Sequence, residues 1–173
     1  VATAGIIAGV VSLTGLGPKF ASAIIALSAG HLFLALFFTM IACLILGMGL
    51  PTTANYVVTA TIAAPALING FDIAPIAVHM FVFYFGIVAD ITPPVCLAAF
   101  AGAGIARANP FMSGVTAVKL AIAAFIVPYI FVYDPILLMV DATFISMTIA
   151  IITAILGMVG VSSGMFGYFI RHS

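Results

Sequence analysis

Apolar residues dominate this chain in long runs, punctuated by glycine, proline and threonine rather than by charge. Residues 1–30 read as a truncated membrane helix and a connecting arm. Gly15, Gly17 and Pro18 stop the first apolar segment, and Phe20–Leu27 is too short to cross a bilayer, which takes about 20 residues. A helix then covers Leu32–Leu46, with apolar character continuing to Leu50. Gly47, Gly49 and Pro51 break it. Pro51 suits the start of a second helix, where its missing N–H is not needed. That helix is predicted from Thr52 to about Leu67, closed by the turn signal Asn69-Gly70. The pair forms a hairpin over 31–69. A second interrupted helix is predicted over 76–106: Ile76–Ala89, then Asp90-Ile91-Thr92-Pro93-Pro94, then Val95–Ala106. A membrane helix over 115–134, kinked at Pro128, and a C-terminal membrane helix over 136–171 complete the chain.

With 66% hydrophobic and 5% charged residues, the chain could not cover a core with polar surface, so it is not a soluble domain. It reads as an all-α integral membrane protein, because the uninterrupted runs lack the two-residue alternation of a membrane barrel. A formal net charge of zero leaves no basic face for nucleic acid, and the partner implied is the lipid bilayer. The chain starts at Val1 without an initiator methionine and ends soon after Arg171, so it reads as a fragment of a longer protein. No charged region precedes the first apolar run, as a signal peptide would require. Cys43 and Cys96 lie in apolar runs and read as small buried hydrophobes.

No charged side chain occurs between Lys19 and Asp72, so the turn GMGLPTTAN carries none. That favours a re-entrant hairpin over two full spans joined in water. Placing Lys19 and Asp72 on one side puts Arg107, Lys119 and Arg171 on the other, which the positive-inside rule makes cytoplasmic. Hairpin and double span keep the same parity, so charge does not choose between them.

The densest polar cluster lies in residues 47–69, GMGLPTTANYVVTATIAAPALIN. At about 100° per residue, Thr52, Asn55, Tyr56 and Thr59 share one helix face. A broken helix with a polar stripe at membrane depth is costly unless it lines a cavity or binds something. Two Gly/Pro-interrupted apolar segments are the sequence pointer to the substrate and ion sites of secondary transporters. Here they are GMGLPTT at 47–53 and ADITPP at 89–94. Freed carbonyls beside hydroxyl or carboxylate oxygens suit a hard cation such as Na⁺, the coupling ion expected here in place of any organic cofactor. The N-termini of the half-helices suit an anionic group.

The expected substrate-binding residues are Pro51, Thr52, Thr53, Asn55, Thr92, Pro93 and Pro94. The expected Na⁺ ligands are Gly47, Gly49, Thr52, Asp90 and Thr92. Asp90 stands out, because an ionisable group inside a membrane segment points to function. Plainer readings stand beside these. Thr hydroxyls bond back to the preceding turn. Asp90 caps the half-helix starting near Thr92. Gly47 and Gly49 serve backbone geometry. His79, on nearly the same face as Asp90, is a packing histidine. An intramembrane protease would need a Ser–His pair or two facing aspartates; only Asp90 lies at depth and no G-x-S-x-G motif occurs, so the chain is not read as an enzyme. A channel or a purely structural membrane subunit is the alternative to ion-coupled transport.

The same residues carry a family resemblance. GMGLPTTANYVVTATIAAPAL, then HMFVFYFGIVADITPPVCLAAFAGAGIARANP, then FIVPYIFVYDP closely resembles the large membrane subunit (permease) of tripartite ATP-independent periplasmic (TRAP) transporters, and most of all the fused-permease branch. The similarity covers roughly residues 12–138. It implies an elevator fold of the ion-transporter superfamily, and that this chain is the C-terminal one of two inverted repeats, with a re-entrant hairpin and a discontinuous helix. It implies 51–53 at the hairpin tip and 90–94 at the helix break. It further implies Na⁺-driven uptake of an organic acid across the bacterial inner membrane. The partners it implies are a periplasmic solute-binding protein and a small membrane subunit or its fused equivalent. The segment after Met139 matches no motif of the family.

Overall fold

The computed structural model describes residues 2–93 and 95–167. Pro94 and Arg171, both singled out above, lie outside the described residues. Every regular element among the described residues is helical. In chain order these are α1 (Ala2–Thr14), α2 (Leu16–Ser28), α3 (Leu32–Gly47), α4 (Thr52–Phe71), α5 (Pro75–Val88), a 3-10 turn (Ala89–Ile91) and α6 (Leu97–Ala106). They continue with α7 (Pro110–Leu120), α8 (Ile122–Tyr133), a second 3-10 turn (Pro135–Leu138) and α9 (Phe144–Phe166).

The hub is α4, which packs on α1, α2, α3 and α5. Its alanines explain how it accommodates four neighbours. Ala63, Ala64 and Ala66 are buried, and small side chains let other backbones approach. Helix α5 supplies the bulk that fills the core: Val78, Phe81, Val82 and Phe85 are fully enclosed. Phe81 and Phe85 meet Tyr129 of α8 with ring centroids 5.3 and 5.9 Å away, both edge-on, the arrangement aromatic quadrupoles prefer.

Several boundaries differ from those predicted. Gly15, with φ of 64°, separates α1 from α2, while Gly17 and Pro18 lie in the first turn of α2. Gly17 is buried against α4, where a Cβ would come within 3.3 Å of the Thr61 carbonyl. It is a close-approach glycine, not a helix stop. Asn69-Gly70 is likewise no turn: both residues belong to α4, which ends at Asp72 in the left-handed region. A Cβ on Gly70 would lie 2.9 Å from Ile25 Cδ1, so packing of α2 over the last turn outweighs local turn propensity. The bend expected at Pro128 falls at Ala121 instead, a 42° change between α7 and α8, with Pro128 inside α8. The helix predicted from Val115 starts at Pro110, where the Asn109 side chain accepts from Met112 N at 3.1 Å.

Among the described residues, Phe144–Met165 of α9 is the one helix long and apolar enough to cross a membrane by itself, and α7 with α8 pass the same test as a bent pair. Helix α3, at 16 residues, is shorter than such a span. A capping box at Thr143 and Ser146 opens α9. It packs on α8 and the second 3-10 turn.

Candidate functional site

The first break is a four-residue turn, 48–51. Leu50 N donates to Gly47 O at 3.3 Å, and Gly49 takes φ of 77°, which glycine adopts without steric cost. Pro51 follows in extended backbone and α4 begins, its first regular bond running from Asn55 N to Pro51 O at 2.9 Å. Gly49, Pro51, Thr52 and Thr53 are exposed, and no side chain caps the start of α4. The first turn of α4 therefore keeps its N–H groups uncapped at the open end of the hairpin.

One turn further on, the polar stripe points inward. Asn55 is fully buried. Its Nδ2 donates to Gly86 O on α5 at 2.6 Å and to Gly47 O at 3.4 Å. Both neighbours are carbonyl acceptors, so the amide must face them with its nitrogen. That leaves Asn55 Oδ1 buried with no partner among the described residues, at a cost of about 1–3 kcal/mol. The fit around this amide is tight. A Cβ on Gly47 would lie 2.5 Å from Asn55 Nδ2 and 2.8 Å from Ala89 Cβ. Gly47 is therefore needed where the end of α3, the side chain of α4 and the end of α5 meet.

Tyr56 Oη and His79 Nδ1 share a hydrogen bond of 3.0 Å, with Phe83 edge-on to Tyr56 at 5.6 Å between centroids. The histidine is thus engaged in packing. Thr59 Oγ1 donates back to Asn55 O at 2.8 Å, the local bonding that a helical threonine favours.

The second break is enclosed differently. After Val88 the chain tightens into the 3-10 turn, and Thr92 is extended. Thr92 Oγ1 donates to Val88 O at 2.8 Å, and Thr92 O accepts from Val95 N at 3.2 Å and Cys96 N at 3.3 Å. Asp90, Thr92 and Pro93 are half-buried. Cys96 is fully buried against α7, where a Cβ on Gly114 would come within 2.5 Å of its Sγ. The structure thus brings together Gly47, Asn55, Gly86 and Ala89. No hydrogen bond among the described residues joins Thr52 or Thr53 to Asp90 or Thr92.

The family described as the tripartite ATP-independent periplasmic transporter, DctM component, matches residues 1–147. The chain belongs to that family. No curated protein and no solved structure matches it. The DctM component is the large permease part of an inner-membrane solute transporter that runs without ATP, and its family is one of transporters, not of enzymes. Membership of this family implies association with a periplasmic binding protein and a small subunit.

In this DctM component, Cys43 and Cys96 are both buried and free. Among the described residues no group of three or more His, Cys, Asp or Glu could hold a metal ion. A cation at the breaks would therefore draw on backbone and hydroxyl oxygens beside the single carboxylate of Asp90. Sequence reasoning missed Gly86, Ala89 and Gly114. The seven-residue spacing of His79 and Gly86 puts both on one face of α5, two turns apart. It gave no hint that Tyr56 and Asn55, adjacent in sequence, would be their partners.

Proposed function

We propose that this DctM component couples Na⁺ entry to uptake of a carboxylate-bearing solute, with both held where the hairpin and the interrupted helix meet. The observation that carries this reading is the Asn55 amide, which joins the two interruptions through Gly47 O and Gly86 O. Thr52, Thr53 and the uncapped first N–H groups of α4, next to Pro51, meet the carboxylate, as an N-terminal helix dipole favours. Thr92 and Pro93 form the opposing wall. Asp90 supplies the charge for Na⁺, with oxygens from Thr52, Thr92 and the carbonyls of Gly47 and Gly49 completing a hard-cation set. The hairpin is re-entrant: α3 is short for a span, and the turn at 48–51 carries no charge. Hairpin and interrupted helix belong to one repeat of an elevator and move together as the cargo-bearing unit, in a multi-pass protein fed by the periplasmic binding protein.

The test needs no known solute. Cys43 and Cys96 are replaced in the assembled transporter, and a single cysteine at Thr52 is labelled with a membrane-impermeant thiol reagent from each side, in Na⁺ and in choline. The expected result is protection by Na⁺ that disappears in Asp90→Ala. Labelling from the cytoplasmic side alone, insensitive to Na⁺, would overturn the reading and leave a channel or structural subunit.

A further inference from the structure

The polar stripe of α4 does two jobs at different depths. Thr52 and Thr53 are exposed, whereas Asn55 is sealed from every approach. A residue with no accessible surface does not touch a solute that enters from the exposed end of the hairpin. It is not there for stability alone either. A leucine has the same branching and would leave no buried side-chain oxygen unpaired, as Asn55 Oδ1 is.

What an asparagine adds is a pair of N–H donors on a short, stiff stem, and both are aimed at backbone carbonyls. One belongs to the last residue of α3 and the other to α5, three residues before the second break begins. Backbone acceptors fix main-chain position directly, so this one side chain sets the separation of three helices. Gly47 reinforces the point, since it admits no Cβ beside the amide.

We propose that Asn55 is a positioning residue for transport: its amide pins the hairpin tip to the interrupted helix, so both breaks keep one fixed geometry through the cycle, and it acts without contacting the solute. The inference rests on the two breaks forming the transport site, as argued above, but it is independent of which ion or solute they hold. The Tyr56–His79 hydrogen bond, from the neighbouring residue of α4 to a position two turns before Gly86 on α5, adds a second tie along the same seam.

The experiment uses the assembled transporter with Cys43 and Cys96 replaced and a nitroxide label on a cysteine at Thr53. Spectra are recorded without Na⁺ and without solute. Asn55→Leu is expected to speed label motion at the tip roughly two- to threefold while a label at Ile152 on α9 is unchanged. A role in general stability alone would move the melting temperature without this local signature. Gly47→Ala attacks the same contact from the other side and is expected to mobilise the tip likewise, which keeps the idea testable if Asn55→Leu does not fold. Unchanged motion at Thr53 in a folded variant overturns the proposal. The outcomes separate cleanly from those of the labelling experiment. A mobilised tip in a protein whose Thr52 cysteine shows no Na⁺ protection keeps the positioning role and removes the ion site. A rigid tip with intact Na⁺ protection does the reverse.

Discussion

Thr52 and Thr92 each stand beside a proline at a helix break, yet their hydroxyls meet different fates. Thr92 Oγ1 donates to Val88 O at 2.8 Å, and the backbone around it is bonded to Val95 and Cys96. Thr52 is exposed at the uncapped start of α4. The difference comes from what surrounds each break. The 3-10 turn packs on α3, α5, α6 and α7, so the local polar groups must satisfy each other. The 48–51 turn is exposed at Gly49 and Pro51, and the donors left spare are those of the uncapped first turn of α4. A break therefore has most free donors where packing has not already used its polar groups. By that measure the first break is the more open of the two.

The comparison can be broken most sharply at the glycines. Gly47→Ala forces a Cβ to 2.5 Å from Asn55 Nδ2 and 2.8 Å from Ala89 Cβ, and neither neighbour can swing away. Overpacking of this kind costs about 3 kcal/mol. A thermal melt of the purified transporter should show it, against Gly102→Ala on α6, whose Cβ meets nothing within 4 Å and should leave the melt unchanged. Equal melts for the two variants would mean the breaks are not packed together as described.

Next in size is Gly114→Ala, which meets Cys96 Sγ at 2.5 Å and Pro93 Cγ at 3.2 Å. A cysteine side chain yields by one rotation, so the expected loss is about 1–2 kcal/mol. Cys96→Ala in the same chain should recover part of it, and a double-mutant cycle reads the coupling directly. Independent, additive effects would argue that α7 does not brace the second break.

The smallest expected effects test the threonines. Thr92→Val removes a satisfied hydroxyl and should cost about 1 kcal/mol of stability. Thr52→Val should stay within about 0.5 kcal/mol of the parent in stability while impairing Na⁺-dependent uptake. Matching melting temperatures with matching uptake defects would erase the distinction between a used and a spare hydroxyl.

The helical character and the family were legible from the chain. Glycine and proline also marked where α3 gives way to α4, because Pro51 lacks a donor and Gly49 accepts a left-handed φ. Tertiary packing hid the rest. Gly17 and Gly70 look like punctuation, but they are places where α2 lies against α4. Periodicity placed Thr52, Asn55, Tyr56 and Thr59 on one face. It could not say that the face runs from open surface at Thr52 to an enclosed seam at Asn55 within a single turn. The bend at Ala121 carries no glycine or proline at all, so nothing local announced it.

Helix α9 supplies a ruler for the whole molecule. Its 22-residue apolar stretch, Phe144–Met165, is about 33 Å long at 1.5 Å per residue, close to the thickness of a hydrocarbon layer. Laid against that length, the 16 residues of α3 reach about 24 Å. A helix entering from one leaflet with that reach stops short of the other by several ångströms. The turn at Gly49 would then be suspended within the membrane's thickness, and the missing distance is the barrier that a solute would still have to be carried across.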